Sequence, residues 1–408
     1  MDDADDLVLN PHVEMKVVGP PAGPSCVVVS TARRGMPRTV TSVTPSADFD
    51  VFPLLLRIAG AREPQEIPLT DEQTAFLEQV GILVDPEIVP GSARFAPRLD
   101  AALLAAVPRR ERALTMPSLS SLVRAPGVVV QWNGDVPADL PPPVREALSR
   151  RGVALEPPIV WVRDAHTQVW CPYECDPALA LDIERTGPGA PVRGALEPIT
   201  VDLLVRAQIL VPATIDPGSG PASPRDRHRA AFVARDHAVI GQMLPSLQVA
   251  ALRSYYAARV REGYFGLGDS LVERRYVAHN EPVARLFLAQ LAPLVSSIVG
   301  EPVKPSYVFF ARYLPGAVLP KHVDREQCEY SISFQIDYSP EPDDVSPWPL
   351  FLENAGSPDP IAVHLGLGDG LLYLGRRQPH HRRRLPKGHS STSLFFHFVR
   401  EDFDGTLD

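Results

Sequence analysis

The stretch LPKHVDREQCEYSISFQIDYS, residues 319–339, sets a histidine and an aspartate two apart, His322 and Asp324, just before a run of alternating apolar residues. At the end of an extended strand, side chains two apart point the same way. An imidazole and a carboxylate placed so can address one ion. In the run that follows, Tyr330, Ile332, Phe334, Ile336 and Tyr338 occupy alternate positions and are expected to share one face of a strand. A third ligand has to come from elsewhere, and His364, His380, His381, His389 and His397 are the downstream candidates. Position favours His380, which lies just after the strand-like GLLYLGRR, so that a folded barrel can bring it back beside the first pair.

Outward from this stretch the period of two continues. SYVFFARYL, EYSISFQIDY, WPLFLE, IAVHLGLG, GLLYLGRR and STSLFFHFV are strand candidates between 305 and 400, separated by Pro, Gly and Asp turns. Consecutive short strands with no helix between them argue for an antiparallel sandwich or barrel. GLGDG, residues 366–370, has the glycines of a dinucleotide loop, but a strand-like run follows where a helix should open, so it reads as a turn between strands. Upstream the period is three to four. RDRHRAAFVARDHAVIGQML and SLQVAALRSYYAARVREG read as helices, the second ending at Gly263. A third helix starts at Asn280 as its cap, has Pro282 in its first turn, and runs through Val283, Leu286, Phe287 and Leu291 towards Gly300. Pro293 is expected to kink or split it. These helices are expected to pack outside the strands.

Most of the 45 prolines fall in the first 225 residues, which breaks that region into short elements joined by loops such as GPPAGPS, PADLPPPV and DPGSGPASPRD and excludes long helices. PLTDEQTAFLEQVGILV (68–84) and PITVDLLVRAQILV (198–211) both run from a Pro-x-Thr start through a helical apolar pattern to an ILV strand, a faint echo of one helix-then-strand unit. The Pro/Gly/Ser stretch at 216–224 reads as a linker. The expected organisation is an N-terminal α/β region over 1–225 whose role the sequence leaves open between binding a substrate, binding a partner and docking on the second half, helical support over 226–300, and a strand-rich core over 301–408.

A chain of 408 residues supports two or three domains at ~150 residues each. A net charge of -9 argues against a nucleic-acid partner. The acidic start MDDADDLVLN has neither the basic nor the apolar segment of a secretory signal, and no run reaches the ~20 apolar residues of a membrane helix. A cytoplasmic location without a membrane partner is therefore expected; nothing fixes an oligomeric state. Cys26, Cys171, Cys175 and Cys328 are too few for a disulfide framework and read as free thiols. CPYEC, residues 171–175, lacks the second ligand pair that zinc requires.

Two histidines and one carboxylate on one face of an octahedral ion leave its other positions open, the arrangement of non-haem Fe(II) oxygenases. Residues 305–400 resemble the Fe(II)/2-oxoglutarate-dependent dioxygenases of the prolyl-4-hydroxylase-like branch. The resemblance rests on Tyr313 and Gly316 before the first ligand, His322-x-Asp324, the Gly368–Asp369 turn, and HHRRRLP (380–386) against a His-x-Arg-x-x-Leu-Pro pattern. It implies an α+β chain whose C-terminal part is a double-stranded β-helix, jelly-roll or cupin-like, with flanking helices. It implies that His322, Asp324 and His380 are the catalytic and metal-ligating set for one Fe(II), with His381 as a neighbour. The implied co-substrates are 2-oxoglutarate and O2, consumed to succinate and CO2 as an unactivated C–H of a peptide, amino acid or small metabolite is hydroxylated.

Family members often carry Lys or Arg about ten residues past the distal histidine, where this chain has Ser390. Arg382 falls on the same strand face as His380 and is expected to take the distal carboxylate of 2-oxoglutarate, with Tyr313, Ser391 and Ser393 as further donors. Asp337 or Glu329 is expected to orient ligands from behind. Arg376, Arg383 and Arg384 read as a solvated basic edge, His397 as a hydrogen-bonded core residue, and the acidic loop 339–349 as a lid. Halogenating relatives carry a small residue where this chain has Asp324, which sets halogenation aside. The alternative from another class is a non-catalytic peptide- or partner-binding protein with a degenerate barrel.

Overall fold

The computed structural model describes residues 8–10, 13–18, 26–33, 36–43, 53–55, 58, 68–84, 93–95, 97–112, 121–133, 135–149, 153–191, 196–213, 224–353 and 359–407. The chain divides into two compact units, residues 1–93 with 257–266, and residues 94–256 with 267–408. In the first, strands Val13–Val18, Cys26–Arg33 and Met36–Val43 form an antiparallel meander. Its core gathers Val29, Val43, Leu55, Leu77, Ile82 and Leu83. Helix Asp71–Gln79 starts at a reciprocal cap between Thr70 and Gln73, and strand Leu83–Val84 follows it. The second segment of the faint echo forms helix Pro198–Arg206 and strand Leu210–Pro212, so both are helix-then-strand units. The 216–224 linker lies outside the described residues except for Pro224.

In the second unit ten strands bear on the site: β1 (His237–Ile240), β2 (Arg275–His279), β3 (Val303–Tyr313), β4 (Leu319–His322), β5 (Tyr330–Ser339), β6 (Leu350–Leu352), β7 (Ile361–Val363), β8 (Gly370–Tyr373), β9 (His380–Arg382) and β10 (Ser390–Arg400). β1, β8, β5, β10, β3 and β2 lie in that order in a large sheet, and β4, β9, β6 and β7 form a small one. Each of these pairings is antiparallel. An apolar layer joins the inner faces: Tyr313, Tyr338, Leu371 and Phe395 from the large sheet meet Leu319, Leu350, Leu352 and Val363 from the small one. Burying such side chains contributes about 1.5–3 kcal/mol each, so this layer sets the distance between the sheets.

Helices cover the outer face of the large sheet. Tyr256 stacks on Phe310 at 4.6 Å, and Phe232 of helix Pro224–Arg235 packs on Tyr330 at 6.3 Å. The segment that reads as one helix through GQML is helical only to Arg235; His237–Ile240 instead forms β1 against β8. Its apolar residues satisfy their backbone groups at a sheet edge, an outcome short apolar runs leave open. Helix Pro282–Val299 is capped by Glu281, whose carboxylate accepts from the Ala284 N–H at 3.0 Å, rather than by Asn280, and it ends at Gly300 with φ 89°. It runs unbroken through Pro293, and its buried face, including Val283, Leu286, Phe287, Leu291 and Val295, holds it against the sheet. By length and composition alone this helix could cross a membrane.

β5 departs from the single apolar face expected of it. A register shift between Gln335 and Asp337 turns the chain over. Tyr330 and Phe334 pack on the helix side, against Phe232 and Phe396, while Tyr338 lies inside with Tyr313. The inner face before the bulge carries Ser331, Ser333 and Gln335, opposite His397, Phe395 and Ser393 of β10. Because helices cover one side and the small sheet the other, these polar residues are 0–1% exposed.

Candidate metal centre

β4 and β9 pair so that His322 stands opposite His380 and Leu319 opposite Arg382. Gly316, at φ 85°, makes the turn into β4 and donates its N–H to Leu385 O at 2.9 Å, tying the turn to the chain after β9. The two imidazoles are 4.3 Å apart between ring centres. Asp324 Oδ1 lies 3.7 Å from His322 Nε2 and 3.5 Å from His380 Nε2, so three potential donor atoms converge. Nδ1 of His322 is 2.9 Å from Pro320 O, and Nδ1 of His380 is 3.0 Å from Gln378 O. A carbonyl only accepts, so each Nδ1 carries the proton and each Nε2 turns a lone pair to the centre. Burial, with His380 next to it, lowers the pKa of His322 and favours that neutral ring.

Asp324 sits on the loop after β4. Its N–H donates to Gly375 O at 2.9 Å, and its Oδ2 accepts from the Ser331 hydroxyl at 2.9 Å. Burial pushes its carboxyl up, but the charged form of the His380 ring, then that of His397 and the Ser331 hydroxyl, outweigh burial and hold it well below the usual carboxylate range. His397 Nδ1 is 2.9 Å from Ser331 Oγ. The hydroxyl spends its one proton on Asp324, so His397 donates to it.

Burial pulls the His397 pKa down to about 4, against the attraction of Asp324. Folded His397 therefore refuses a proton that the unfolded chain accepts near 6.5. Stability is expected to fall as pH drops from about 6.5 to about 4, by on the order of 3 kcal/mol from this group, and to be insensitive to it above that window. Urea midpoints at pH 7 and pH 4.5 measure the slope, which His397→Phe should reduce; an equal slope in that variant would contradict the assignment.

Two residues along β9 from His380, Arg382 is 2% exposed. Its Nη1 donates to Trp348 O at 2.8 Å, and its guanidinium lies 4.7 Å from the Trp348 ring. Nε and Nη2 have no hydrogen-bond partner among the described residues. Burial lowers its pKa, and the phenols of Tyr313, Tyr373 and Tyr338 oppose that effect. Tyr313 accepts from Arg275 Nη1 at 2.9 Å, which leaves its own proton to donate. Ser391 stands opposite Tyr313 and Tyr338, and Ser393 opposite Ala311 and Gln335, all on the inner face. Ser391 Oγ accepts from Gln335 Nε2 at 3.1 Å, whereas the hydroxyls of Ser333 and Ser393 and Oε1 of Gln335 are buried without a partner.

The remaining candidates lie elsewhere. His381 points to the other face of β9 and stacks on Phe351 at 5.0 Å and 11°. His389 bonds Tyr338 Oη, and His364 bonds Ser346 O. Asp337 pairs with Arg253 at 3.0 Å, and Glu329 with Arg400 at 3.3 Å. Neither reaches His322, Asp324 or His380; Ser331 and Gly375 reach Asp324, and neither stood out in the sequence. The signal for Ser331 was the alternate set Ser331, Ser333, Gln335, since polar residues on a strand covered on both faces need a use. Loop residues Glu341, Asp343 and Asp344 pair with Arg253, Arg109 and Arg110. Gly366–Gly370 is a turn leading into β8, as expected. Cys171, Cys175 and Cys328 are free and buried.

No protein-family model and no curated protein matches the chain. Among solved structures it is similar to a prolyl-4-hydroxylase of Pseudomonas putida, at 20% identity and a TM-score of 0.37 over 43% of this chain and 99% of that one. It is similar to HygX of Streptomyces hygroscopicus with nickel, 2-oxoglutarate and hygromycin B bound, at 16% identity and a TM-score of 0.36 over 43% of this chain and 88% of that one. A third is an oxidoreductase of the 2OG-Fe(II) oxygenase family from Burkholderia pseudomallei, at 14% identity and a TM-score of 0.36 over 45% of this chain and 93% of that one. At these identities and scores they carry no activity, substrate or partner to this chain. Over less than half its length, the chain is similar to Fe(II)/2-oxoglutarate oxygenases, prolyl-4-hydroxylase among them.

Proposed function

We propose that the chain is an Fe(II)- and 2-oxoglutarate-dependent oxygenase that hydroxylates an unactivated C–H of a peptide, amino acid or related small metabolite. Its core is then a double-stranded β-helix over residues 301–408, with His322, Asp324 and His380 as the iron ligands and the N-terminal region as a substrate or partner platform. The observation that carries this reading is Arg382, buried beside the three converging donors with two guanidinium nitrogens unpaired. Arg382 has no carboxylate partner among the described residues, and a buried cation so placed is costly, on the order of several kcal/mol. A carboxylate arriving with a ligand removes that cost.

The residues fit Fe(II) and a five-carbon diacid. Two neutral imidazoles and one carboxylate suit Fe(II) with open positions. Two residues along a strand span ~6.6–6.8 Å, the reach of a five-carbon diacid from the centre to Arg382. The unpaired hydroxyls of Ser333 and Ser393 face the same interior. When bound, iron with 2-oxoglutarate and O2 supplies oxidative decarboxylation to succinate and CO2 and the oxidising power for a substrate C–H. Arg382 and the Tyr313 hydroxyl orient the diacid, and Arg275 in turn fixes Tyr313. The apolar layer between the sheets excludes water around them.

The test is iron-dependent release of succinate from 2-oxoglutarate by the full chain, screened with peptides and amino acids for a product heavier by one oxygen. No iron-dependent turnover of 2-oxoglutarate under any of them, with iron bound, would return the chain to the binding-protein alternative.

A further inference from the structure

The two histidines owe their placement to strand pairing and to carbonyls two residues behind each ring. Asp324 has no such support, because it lies past the end of β4. Its anchors come instead from the large sheet. Ser331 of β5 stands directly opposite His397 of β10, so their side chains share the inner face. The His397 ring is held against Tyr307 of β3 at 4.5 Å. The resulting line of donors, His397 Nδ1–H to Ser331 Oγ–H to Asp324 Oδ2, occupies Oδ2 and leaves Oδ1 facing the imidazoles.

Gly375, just beyond β8, closes the other side. A Cβ there would stand 2.4 Å from Asp324 Oδ2, 2.4 Å from Ser331 Oγ and 2.7 Å from Cys328 O. Gly375 is not among the residues of positive φ, so space rather than backbone conformation calls for glycine. Its carbonyl also accepts the Asp324 N–H. A backbone hydrogen bond, a hydroxyl and close packing thus act together on Asp324.

We infer that Ser331, His397 and Gly375 form a clamp that fixes Asp324 as a one-oxygen ligand through Oδ1. They are positioning residues: none touches the metal, and together they set its affinity and the symmetry of its ligand field. The inference rests on the metal centre proposed above. A carboxylate freed from the clamp can rotate, offer both oxygens or swing away, and each change alters the field at the ion.

Co(II), added to the metal-free full-length chain, reports both affinity and field through its visible absorption. Ser331→Ala and Gly375→Ala are expected to weaken Co(II) binding by about ten-fold or more, the scale of lost support behind a ligand, and to change the band shape. His397→Phe should do likewise, and His397→Asn, which keeps a donor, should recover part of the affinity. Urea midpoints measured alongside separate this from unfolding; should Gly375→Ala destabilise the chain, Ser331→Ala, which removes only a hydroxyl, decides. Co(II) binding of unchanged affinity and spectrum in Ser331→Ala overturns the clamp and leaves the metal centre standing. Failure of the unsubstituted chain to bind Co(II) overturns the metal centre and the clamp with it.

Discussion

Alanine at His322, Asp324 or His380 is expected to reduce iron-dependent succinate release to background, while alanine at His381 leaves it within about two-fold of the unsubstituted chain. Three ligands on one face hold the ion while keeping positions open for a chelating co-substrate and O2. Losing one loosens the metal and misplaces whatever binds opposite it. Asp324→Ala should be the most damaging, since it also removes the negative charge set against the ion and leaves the Ser331 hydroxyl without its acceptor. His381 is the control because its ring lies on Phe351, on the opposite face of the same strand. Iron per chain and succinate per iron are the two quantities to measure. Normal iron content in His380→Ala combined with loss in His381→Ala would mean that the ligand register is off by one; indifference to both would sink the oxygenase reading.

The second large effect is expected at Arg382. Arg382→Ala should raise the apparent KM for 2-oxoglutarate roughly ten- to a hundred-fold, because a hydrogen bond to a charged group contributes ~1.5–3 kcal/mol. Iron binding should survive. Arg382→Lys should recover little, since an ammonium cannot offer the two parallel N–H groups of a guanidinium. In the unsubstituted chain 2-oxoglutarate should raise the melting temperature by binding the native state only, and that shift should vanish with Arg382. An unaltered KM would move the anchor to Tyr313, Ser391 and Ser393.

What the sequence disclosed followed from residue spacing. His380 and Arg382, two apart on one strand, needed only the period of two to be placed on a common face, whereas Asp324 lies past the end of its strand and is brought to His322 by contacts with Ser331 and Gly375. Helix Ser246–Arg261, followed by Gly263 at φ 70°, was legible for the same reason. What escaped depended on pairing between distant segments. β1 looked helical because a short apolar run carries no label for its partner. The bulge after Gln335 reverses every side chain beyond it, and no local pattern announces such an insertion. The clamp on Asp324 joins residues 324, 331, 375 and 397, brought together only once two sheets have closed. Asn280 offered a good capping side chain, but Glu281 also accepts from Tyr255 and Tyr256, and that tertiary pairing selected the cap.

The division of labour between the sheets makes the apolar layer a spacer gauge. His322, His380 and Arg382 ride on the small sheet, while the hydroxyls, the Asp324 anchors and Tyr313 ride on the large one. A side chain such as Leu350 or Leu371 therefore bears on the candidate site through thickness alone, with no polar atom of its own. If the proposed reaction runs at this centre, trimming or swelling such a side chain by a methylene changes the spacing between the small sheet's His322, His380 and Arg382 and the large sheet's hydroxyls without removing a polar atom.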